Sequence, residues 1–216
     1  MLGTQFSGTV GIMSHQLHVD VRIPEPSEAR NFADLCARTF RETYRGLVPE
    51  DALDAYISEA FNAARQRREL EDPATTVYLA GSARRPLGYA LVRRGSSPEE
   101  VTGRSPLELG RLYVDEPARG KGVGGVLFAR VLREAVAAGH DQLWLTVWEH
   151  NVRAIEVYTH WGFLDVGAIS FDFAGEPQTD RVMARPSNWV IATDSNAVSV
   201  AHGEAHTTQE DRWTST

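Results

Sequence analysis

The sequence has a single cysteine and no long apolar run, and each shortage excludes a class of protein. Cys36 is the one cysteine among 216 residues, so the chain cannot form an internal disulfide, and this composition fits a reducing cytoplasm. No stretch approaches the roughly 18 consecutive apolar residues of a membrane-spanning helix, so we expect no membrane partner. We interpret Cys36 as a small buried apolar residue.

An excess of positive charge is also missing. The chain carries 22 Lys and Arg against 29 Asp and Glu, which gives a formal net charge of -7 at pH 7. Because nucleic-acid binding requires a basic face, we expect no nucleic-acid partner, whereas a cationic substrate is compatible with this charge. The histidines show no ligand spacing, since His140, His150 and His160 lie ten residues apart. We therefore predict no metal site.

The length and composition predict one domain with a tail at each end. Hydrophobic residues make up 42% of the chain, which is enough to bury a core. Residues 1–16 lack the basic and apolar regions of a secretory signal, and we predict a flexible leader there. Residues 187–216 are polar and small without sustained periodicity, so we predict a mostly disordered tail. The domain proper is predicted over 17–186.

Hydrophobic periodicity predicts an α/β (α+β) fold with a mixed central sheet of about seven strands flanked by helices. The predicted strands cover 18–23, 75–81, 87–95, 107–114, 142–148, 163–173 and 181–185. The predicted helices cover 26–44, 49–70, 122–139 and 151–161.

A glycine-rich turn, DEPARGKGVGG at 115–125, lies between a predicted strand and a predicted helix. The N–H groups at a helix start have no intrahelical partner, and phosphate is a common ligand for them. Glycine allows the backbone to approach the phosphate oxygens closely, and Arg119 and Lys121 add positive charge. The turn therefore predicts a phosphate site, with a purely steric role for the glycines as the alternative.

Two nucleotide-binding motifs fit this turn poorly. Gly120, Gly122 and Gly125 match G-x-G-x-x-G, but the first glycine of a dinucleotide-binding unit follows its strand almost at once. Here residues 115–119 intervene. A P-loop requires Ser or Thr after its lysine, whereas Gly122 follows Lys121.

A different register of the same turn carries a family resemblance. LGRLYVDEPARGKGVGGVLFARVL at 109–132 resembles the cofactor-binding core of the GNAT superfamily of N-acetyltransferases, and NVRAIEVYTHWGF at 151–163 resembles a second element of that family at matching spacing. The resemblance covers about residues 17–186 and implies that the central sheet is mostly antiparallel. Further stretches, among them LWLTVWEHN and GAISFDFAGEPQTDRVMA, are similar to bacterial spermidine/spermine N-acetyltransferases of the PaiA type.

The resemblance implies acetyl-CoA as co-substrate and assigns residues to it. The backbone of β-strand residues Leu112, Tyr113 and Val114 would pair with the pantetheine arm, and Asn151 would cap its helix or touch the cofactor. The pyrophosphate would lie on the backbone N–H groups of Arg119, Gly120, Lys121, Gly122, Val123, Gly124 and Gly125.

The resemblance also places Tyr158 at the position of the family's proton-donor tyrosine. A phenol with a pKa near 10 suits a leaving thiol with a pKa near 8.5. The attacking amine has to lose a proton, which costs about 4 kcal/mol at neutral pH, and we predict Glu108 as its acceptor. Strand alternation is expected to place Glu108 on one face with Leu112 and Val114, and a merely exposed carboxylate is the alternative.

The predicted reaction is direct transfer of acetyl to a primary amine, with polyamines as the leading acceptors. Other small amines, antibiotics and protein amines stay open, as does a sensor that binds acyl-CoA without turnover. Splayed strand edges and surplus hydrophobic surface suggest a homodimer. Candidate acceptor-site residues are the carboxylates and aromatic rings Glu42, Asp51, Glu59, Glu149, Trp148 and Tyr44.

Overall fold

A computed structural model describes residues 19–82, 84–173 and 176–188. The predicted leader and nearly all of the predicted tail lie outside these ranges. The strands are β1 (Val21–Arg22), β2 (Thr75–Ser82), β3 (Arg85–Arg93), β4 (Pro106–Val114), β5 (Gln142–Trp148), β6 (Leu164–Phe173) and β7 (Glu176–Pro186). The helices are α1 (Ala29–Tyr44), α2 (Glu50–Ala60), α3 (Ala63–Glu71), α4 (Val123–Ala137) and α5 (Val152–His160).

The strands form one seven-stranded sheet in the order β1-β2-β3-β4-β5-β7-β6. Neighbouring strands run antiparallel except β4 and β5, which run parallel. This arrangement confirms the predicted fold class. It also differs from the mostly parallel, doubly wound sheet of dinucleotide-binding domains. Within the described residues no helix is long and apolar enough to cross a bilayer.

The predicted second helix, 49–70, is wrong in one respect, because the structure divides it into α2 and α3. Helix α2 ends at Ala60, and Asn62 caps α3 by accepting a hydrogen bond from the backbone N–H of Arg65 at 2.9 Å. Asparagine favours the N-cap because its side chain satisfies one of the free N–H groups there. The apolar spacing continues across the break, since Phe61 is as buried as the helical positions around it.

The sheet separates two buried layers. Helix α4 packs on one face, which we call the α4/α5 face, where Leu127, Leu143 and Phe163 lie in the core. Helices α1 and α2 pack on the other face, the α1–α3 face, where Leu53 and Tyr89 are fully buried. Most of the hydrophobic stabilisation comes from these two layers, since burying one such side chain contributes about 1.5–3 kcal/mol.

Strands β4 and β5 diverge and leave an opening in the sheet. They pair over Pro106–Glu108 and Gln142–Trp144, after which β4 stays with β3 while β5 stays with β7. A bulge at Gly110 shifts the β3–β4 register, because Leu91 pairs with Arg111 and Val92 with Leu109. Bulges increase local twist, which favours the separation of the strands.

The bulge also changes which residues share a face. Leu109 before it and Leu112 and Val114 after it all pack on the α4/α5 face. Glu108 therefore lies on the opposite α1–α3 face, and its carboxylate contacts Arg93 there. The predicted common face for Glu108, Leu112 and Val114 is wrong, because the extra residue moves the alternation by one position.

Candidate active site

A cavity of about 910 Å³ occupies the opening between β4 and β5 and is lined by residues from both faces of the sheet. Residues from the glycine turn, α5, both diverging strands and α1 line it. Among the predicted site residues, the lining contains Glu108, Leu112, Tyr113, Val114, Arg119, Gly120, Gly122, Val123, Gly124, Gly125, Asn151 and Tyr158.

The glycine turn presents free backbone N–H groups to this cavity. Gly120 and Gly122 have φ angles of +74° and +83°, a left-handed conformation that glycine adopts without strain. Helix α4 begins at Val123, and Val126 donates the first bond of its ladder, to the carbonyl of Gly122 at 3.1 Å. The N–H groups of 122–125 thus have no intrahelical partner, and the positive end of the helix dipole adds to their attraction for an anion.

Arg119 and Lys121 have different roles from their glycine neighbours. The Arg119 side chain donates to the carbonyl of Val114 and to Oε2 of Glu42, both at 3.0 Å, which ties the turn to β4 and α1. The N–H groups of Arg119 and Lys121 donate to backbone carbonyls three residues earlier. The Lys121 side chain is exposed and is not among the cavity-lining residues. The predicted anion site is therefore strongest at 122–125.

The start of α5 contributes two residues to the same end of the cavity. Asn151 caps this helix, since its side chain accepts from the N–H of Ala154 at 3.3 Å. Arg153 in the first turn is exposed and lines the cavity, and no ion pair within the described ranges includes it. The sequence reasoning missed Arg153, although a basic residue two positions after the capping asparagine was a usable signal.

Tyr158 lies on α5 beside the opening. Its ring meets Trp161 and Phe163 edge-on, with centroid distances of 6.0 and 5.7 Å. Burial raises the pKa of Tyr158 well above its usual value, so the phenol stays protonated at neutral pH. Tyr158 is therefore a weaker acid than the phenol with a pKa near 10 that was expected to protonate the leaving thiol. A thiolate in the same desolvated cavity would, however, also be a stronger base.

Glu108 lies across the opening on the α1–α3 face. Its side chain is 24% exposed, and Oε1 is 3.8 Å from Nη1 of Arg93. Burial raises the pKa of Glu108, while the charges of Arg93 and Arg111 act in the opposite direction. A raised pKa makes this carboxylate a stronger proton acceptor than an exposed glutamate.

Arginine side chains near Glu108 are held by a carboxylate from α3. Glu69 accepts two hydrogen bonds from Arg111, at 2.8 and 2.9 Å, and one from Arg93 at 3.2 Å. Together with Glu108 these groups form a charge-balanced cluster of two guanidinium and two carboxylate groups. Sequence reasoning missed Glu69 and Arg111, because no local sequence pattern indicates that a helix residue pairs with a strand residue more than forty positions away.

Only some of the residues predicted for the acceptor site line the cavity. Trp148 and Tyr44 line the cavity with centroids 6.1 Å apart, and Glu42 lines it as the ion partner of Arg119. The remaining three predicted carboxylates are exposed and do not line it, namely Asp51, Glu59 and Glu149.

Asp180 on β7 lines the cavity instead. It was missed because the last strand was predicted to begin at Arg181, one residue after Asp180, whereas β7 begins at Glu176. In addition, the pairing of Asp180 with Trp148 depends on the register of the two strands. In the part of the chain that the structure describes, no group of three or more His, Cys, Asp or Glu side chains could hold a metal ion.

Comparison with known proteins agrees with this geometry. The sequence model of the acetyltransferase (GNAT) family matches residues 36–163, which is over half of the chain. The chain therefore belongs to the GNAT family of acetyltransferases. Membership confirms the predicted enzyme class, with acetyl-CoA as the co-substrate.

Relatives of known sequence carry similarly general names. An uncharacterized N-acetyltransferase of Mycobacterium bovis is 28% identical over 159 residues, covering 74% of this chain and 97% of the relative. Another, from Lactobacillus delbrueckii subsp. lactis, is 24% identical over 168 residues, covering 76% and 96%.

Solved structures share the fold at low sequence identity. PaiA N-acetyltransferase from Thermoplasma acidophilum in complex with coenzyme A has a TM-score of 0.61 at 16% identity, covering 78% of this chain and 98% of that one. A spermidine N-acetyltransferase SpeG chimera from Vibrio cholerae and hSSAT has a TM-score of 0.55 at 17% identity, covering 78% of this chain and 95% of that one.

Proposed function

We propose that the protein transfers the acetyl group of acetyl-CoA directly to a primary amine, with polyamines such as spermidine and spermine as the leading acceptors. The observation that carries the proposal is the opening between β4 and β5. It joins an anion site on the α4/α5 face to a carboxylate- and aromatic-lined space on the α1–α3 face. Donor and acceptor can therefore meet from opposite sides.

The donor side has groups suited to each part of coenzyme A. The N–H groups of 122–125 hold the pyrophosphate, with Gly120 leaving room and Arg153 adding charge. The exposed edge of β4 at Leu112–Val114 pairs with the pantetheine arm as an added strand would. A backbone N–H of this edge also stabilises the oxyanion that forms during transfer.

The chemical step uses Glu108 and Tyr158. Glu108 accepts the proton of the attacking amine, directly or through water, as the C–N bond forms. The C–S bond then breaks and Tyr158 donates its proton to the leaving sulfur, regaining one from solvent. Cys36 takes no part, since burial raises the pKa of its thiol to about 12 and it is fully inaccessible.

A polyamine acceptor is supported by the acceptor side of the cavity. Trp148 and Tyr44 offer aromatic faces to a cation, and Glu108 and Asp180 offer negative charge. Two solved neighbours of similar fold are described as a PaiA N-acetyltransferase and a spermidine N-acetyltransferase chimera.

A free-thiol assay tests the proposal. The protein is incubated with acetyl-CoA and, separately, spermidine, spermine, lysine peptides and aminoglycosides, and thiol release is recorded. Release with the polyamines is the expected result. Release with none of the amines, together with acetyl-CoA binding, would instead indicate a sensor.

Two further expectations belong to the same proposal. We place the enzyme in the cytoplasm because of its single buried cysteine. We also propose a homodimer, since edge strand β6 exposes Leu164, Val166 and Ile169. Light scattering on the purified protein gives the mass in solution, and a monomer would contradict the dimer.

A further inference from the structure

We infer that Asp180 binds the cationic group of the acceptor that is not acetylated, and so selects amines with a second positive charge. This inference rests on the proposed function. Asp180 in β7 lies directly opposite Trp148 of β5, and directly opposed residues of an antiparallel pair share a face. Both line the cavity on the α1–α3 face.

Asp180 differs from the other carboxylates that line the cavity in its ion pairing. Glu42 pairs with Arg119 at 3.0 Å, and Glu108 contacts Arg93. Asp180 is half-buried and is hydrogen-bonded to Thr146, and no salt bridge among the described residues includes it. A partly desolvated carboxylate without a cation is unfavourable, and a bound ammonium group would supply the missing charge.

Aromatic rings complete the surroundings of this carboxylate. The Trp148 indole is fixed by donating from Nε1 to Oε1 of Gln178 at 3.0 Å. Burial is the main reason why the pKa of Tyr44 rises to about 12, and the nearby charge of Asp180 contributes. A cation at Asp180 would therefore also lie near the Trp148 indole and the Tyr44 phenol.

Asp180 and Glu108 occupy separate places in the cavity. Glu108 neighbours Trp144 and Asp180 neighbours Trp148, four residues further along β5. At about 3.3 Å per residue this separates them by about 13 Å along the strand. One carboxylate can take the proton of the attacking amine while the other holds a distal ammonium group, as a linear polyamine requires.

Replacing Asp180→Asn tests the inference. We expect the KM for spermidine to rise roughly tenfold or more, while the KM for butylamine, which has a single ammonium group, stays within about twofold. In the unchanged protein, the KM for spermidine is also expected to rise as pH falls through the raised pKa of Asp180. This dependence is lost in the variant.

Asp165→Asn is the matched control. Asp165 is exposed on β6, pairs with Arg181 and does not line the cavity, so its removal is expected to leave both KM values unchanged. Circular dichroism establishes that both variants are folded. If Asp180→Asn does not fold, Thr146→Val removes the hydrogen bond to Asp180 and is expected to shift the pH dependence of the spermidine KM.

The outcomes separate this inference from the proposed function. Equal losses for spermidine and butylamine, or no loss for either, would overturn the inference and leave the transferase proposal standing. A preference for amines that carry a carboxylate would also overturn it and would point to Arg65 and Arg93, which line the same cavity. Absence of transfer to every amine would remove the proposed function and this inference with it.

Discussion

The two faces of the sheet carry the two ends of the cavity and are built differently. On the α4/α5 face, the proposed anion site consists of backbone N–H groups from the continuous segment 122–125. On the α1–α3 face, side chains from separate elements meet, among them Tyr44, Glu108, Trp148 and Asp180. The end of the cavity on the α4/α5 face, which we propose binds the acetyl donor and call the donor end, is thus encoded by a short local pattern. The end on the α1–α3 face, which we propose binds the amine and call the acceptor end, depends on tertiary structure.

The largest expected effect comes from Tyr158, which lies where the two ends meet. Tyr158→Phe keeps the ring and its contacts with Trp161 and Phe163 but removes the proposed proton donor. We expect kcat to fall by roughly 10²–10⁴-fold with the KM values for both substrates little changed. Steady-state thiol release measures the effect. Full turnover by this variant would exclude Tyr158 as the acid.

Glu108→Gln tests the acceptor end. We expect a fall of about a hundredfold in kcat/KM at neutral pH, because a carboxamide cannot accept the proton. With butylamine as the acceptor, which has no second positive charge for Asp180 to bind, kcat/KM of the unchanged protein should decrease as pH falls through the raised pKa of Glu108, since the protonated acid is inactive as a base. The variant should lose this acidic limb.

Glu59→Gln provides the control for Glu108, since Glu59 is exposed on α2 and does not line the cavity. Its pH–rate profile should match that of the unchanged protein. An acidic limb that persists in Glu108→Gln would assign the base to another group.

A smaller effect is expected at the donor end from Gly122→Ala. A methyl group at φ +83° strains the turn and so moves the N–H groups that we propose hold the phosphate. We expect roughly a tenfold loss in kcat/KM for acetyl-CoA, since small displacements of positioning groups are costly. Isothermal titration with coenzyme A measures the binding component.

Gly139→Ala is the matched control for Gly122. Gly139 follows α4 with φ +79°, and at both glycines an added methyl group would meet no other atom within 4 Å. Both changes introduce similar backbone strain, but Gly139 is not a lining residue. A similar loss of coenzyme A binding in both variants would indicate a general effect of strain.

The same contrast explains how far the sequence could predict the molecule. Strand and helix periodicity was sufficient for a mixed sheet flanked by helices, and the family resemblance implied that the sheet is mostly antiparallel. The glycine turn and the capping asparagine at 151 are local motifs that remain recognisable without a structure. The break at Phe61–Asn62 was missed because the hydrophobic pattern continues through it. Periodicity reports which side is buried and is insensitive to a change in helix direction.

The acceptor end could not be predicted in the same way. The face of Glu108 was assigned wrongly because a bulge at Gly110 changes the alternation, and a glycine within a strand is a weak signal of a bulge. The role that we infer for Asp180 depends on its register with Trp148, which follows from how β7 pairs with β5. Such pairings join segments that are distant in sequence, so they are fixed by the folded sheet and not by any local pattern.

The smallest effects are expected from the two capping asparagines. Asn62 caps α3 on the acceptor side of the cavity, and Asn151 caps α5 on the donor side. Asn62→Ala and Asn151→Ala each remove one side-chain bond to a helix N-terminus, and each should lower the free energy of unfolding by about 1 kcal/mol. Their kinetic effects should differ. Loosening α3 disturbs Glu69 and the arginines near Glu108, which should raise the KM for the amine a few-fold. Loosening α5 should raise the KM for acetyl-CoA instead. Urea denaturation and steady-state kinetics measure both quantities, and identical kinetic effects would show that the two ends are not independently supported.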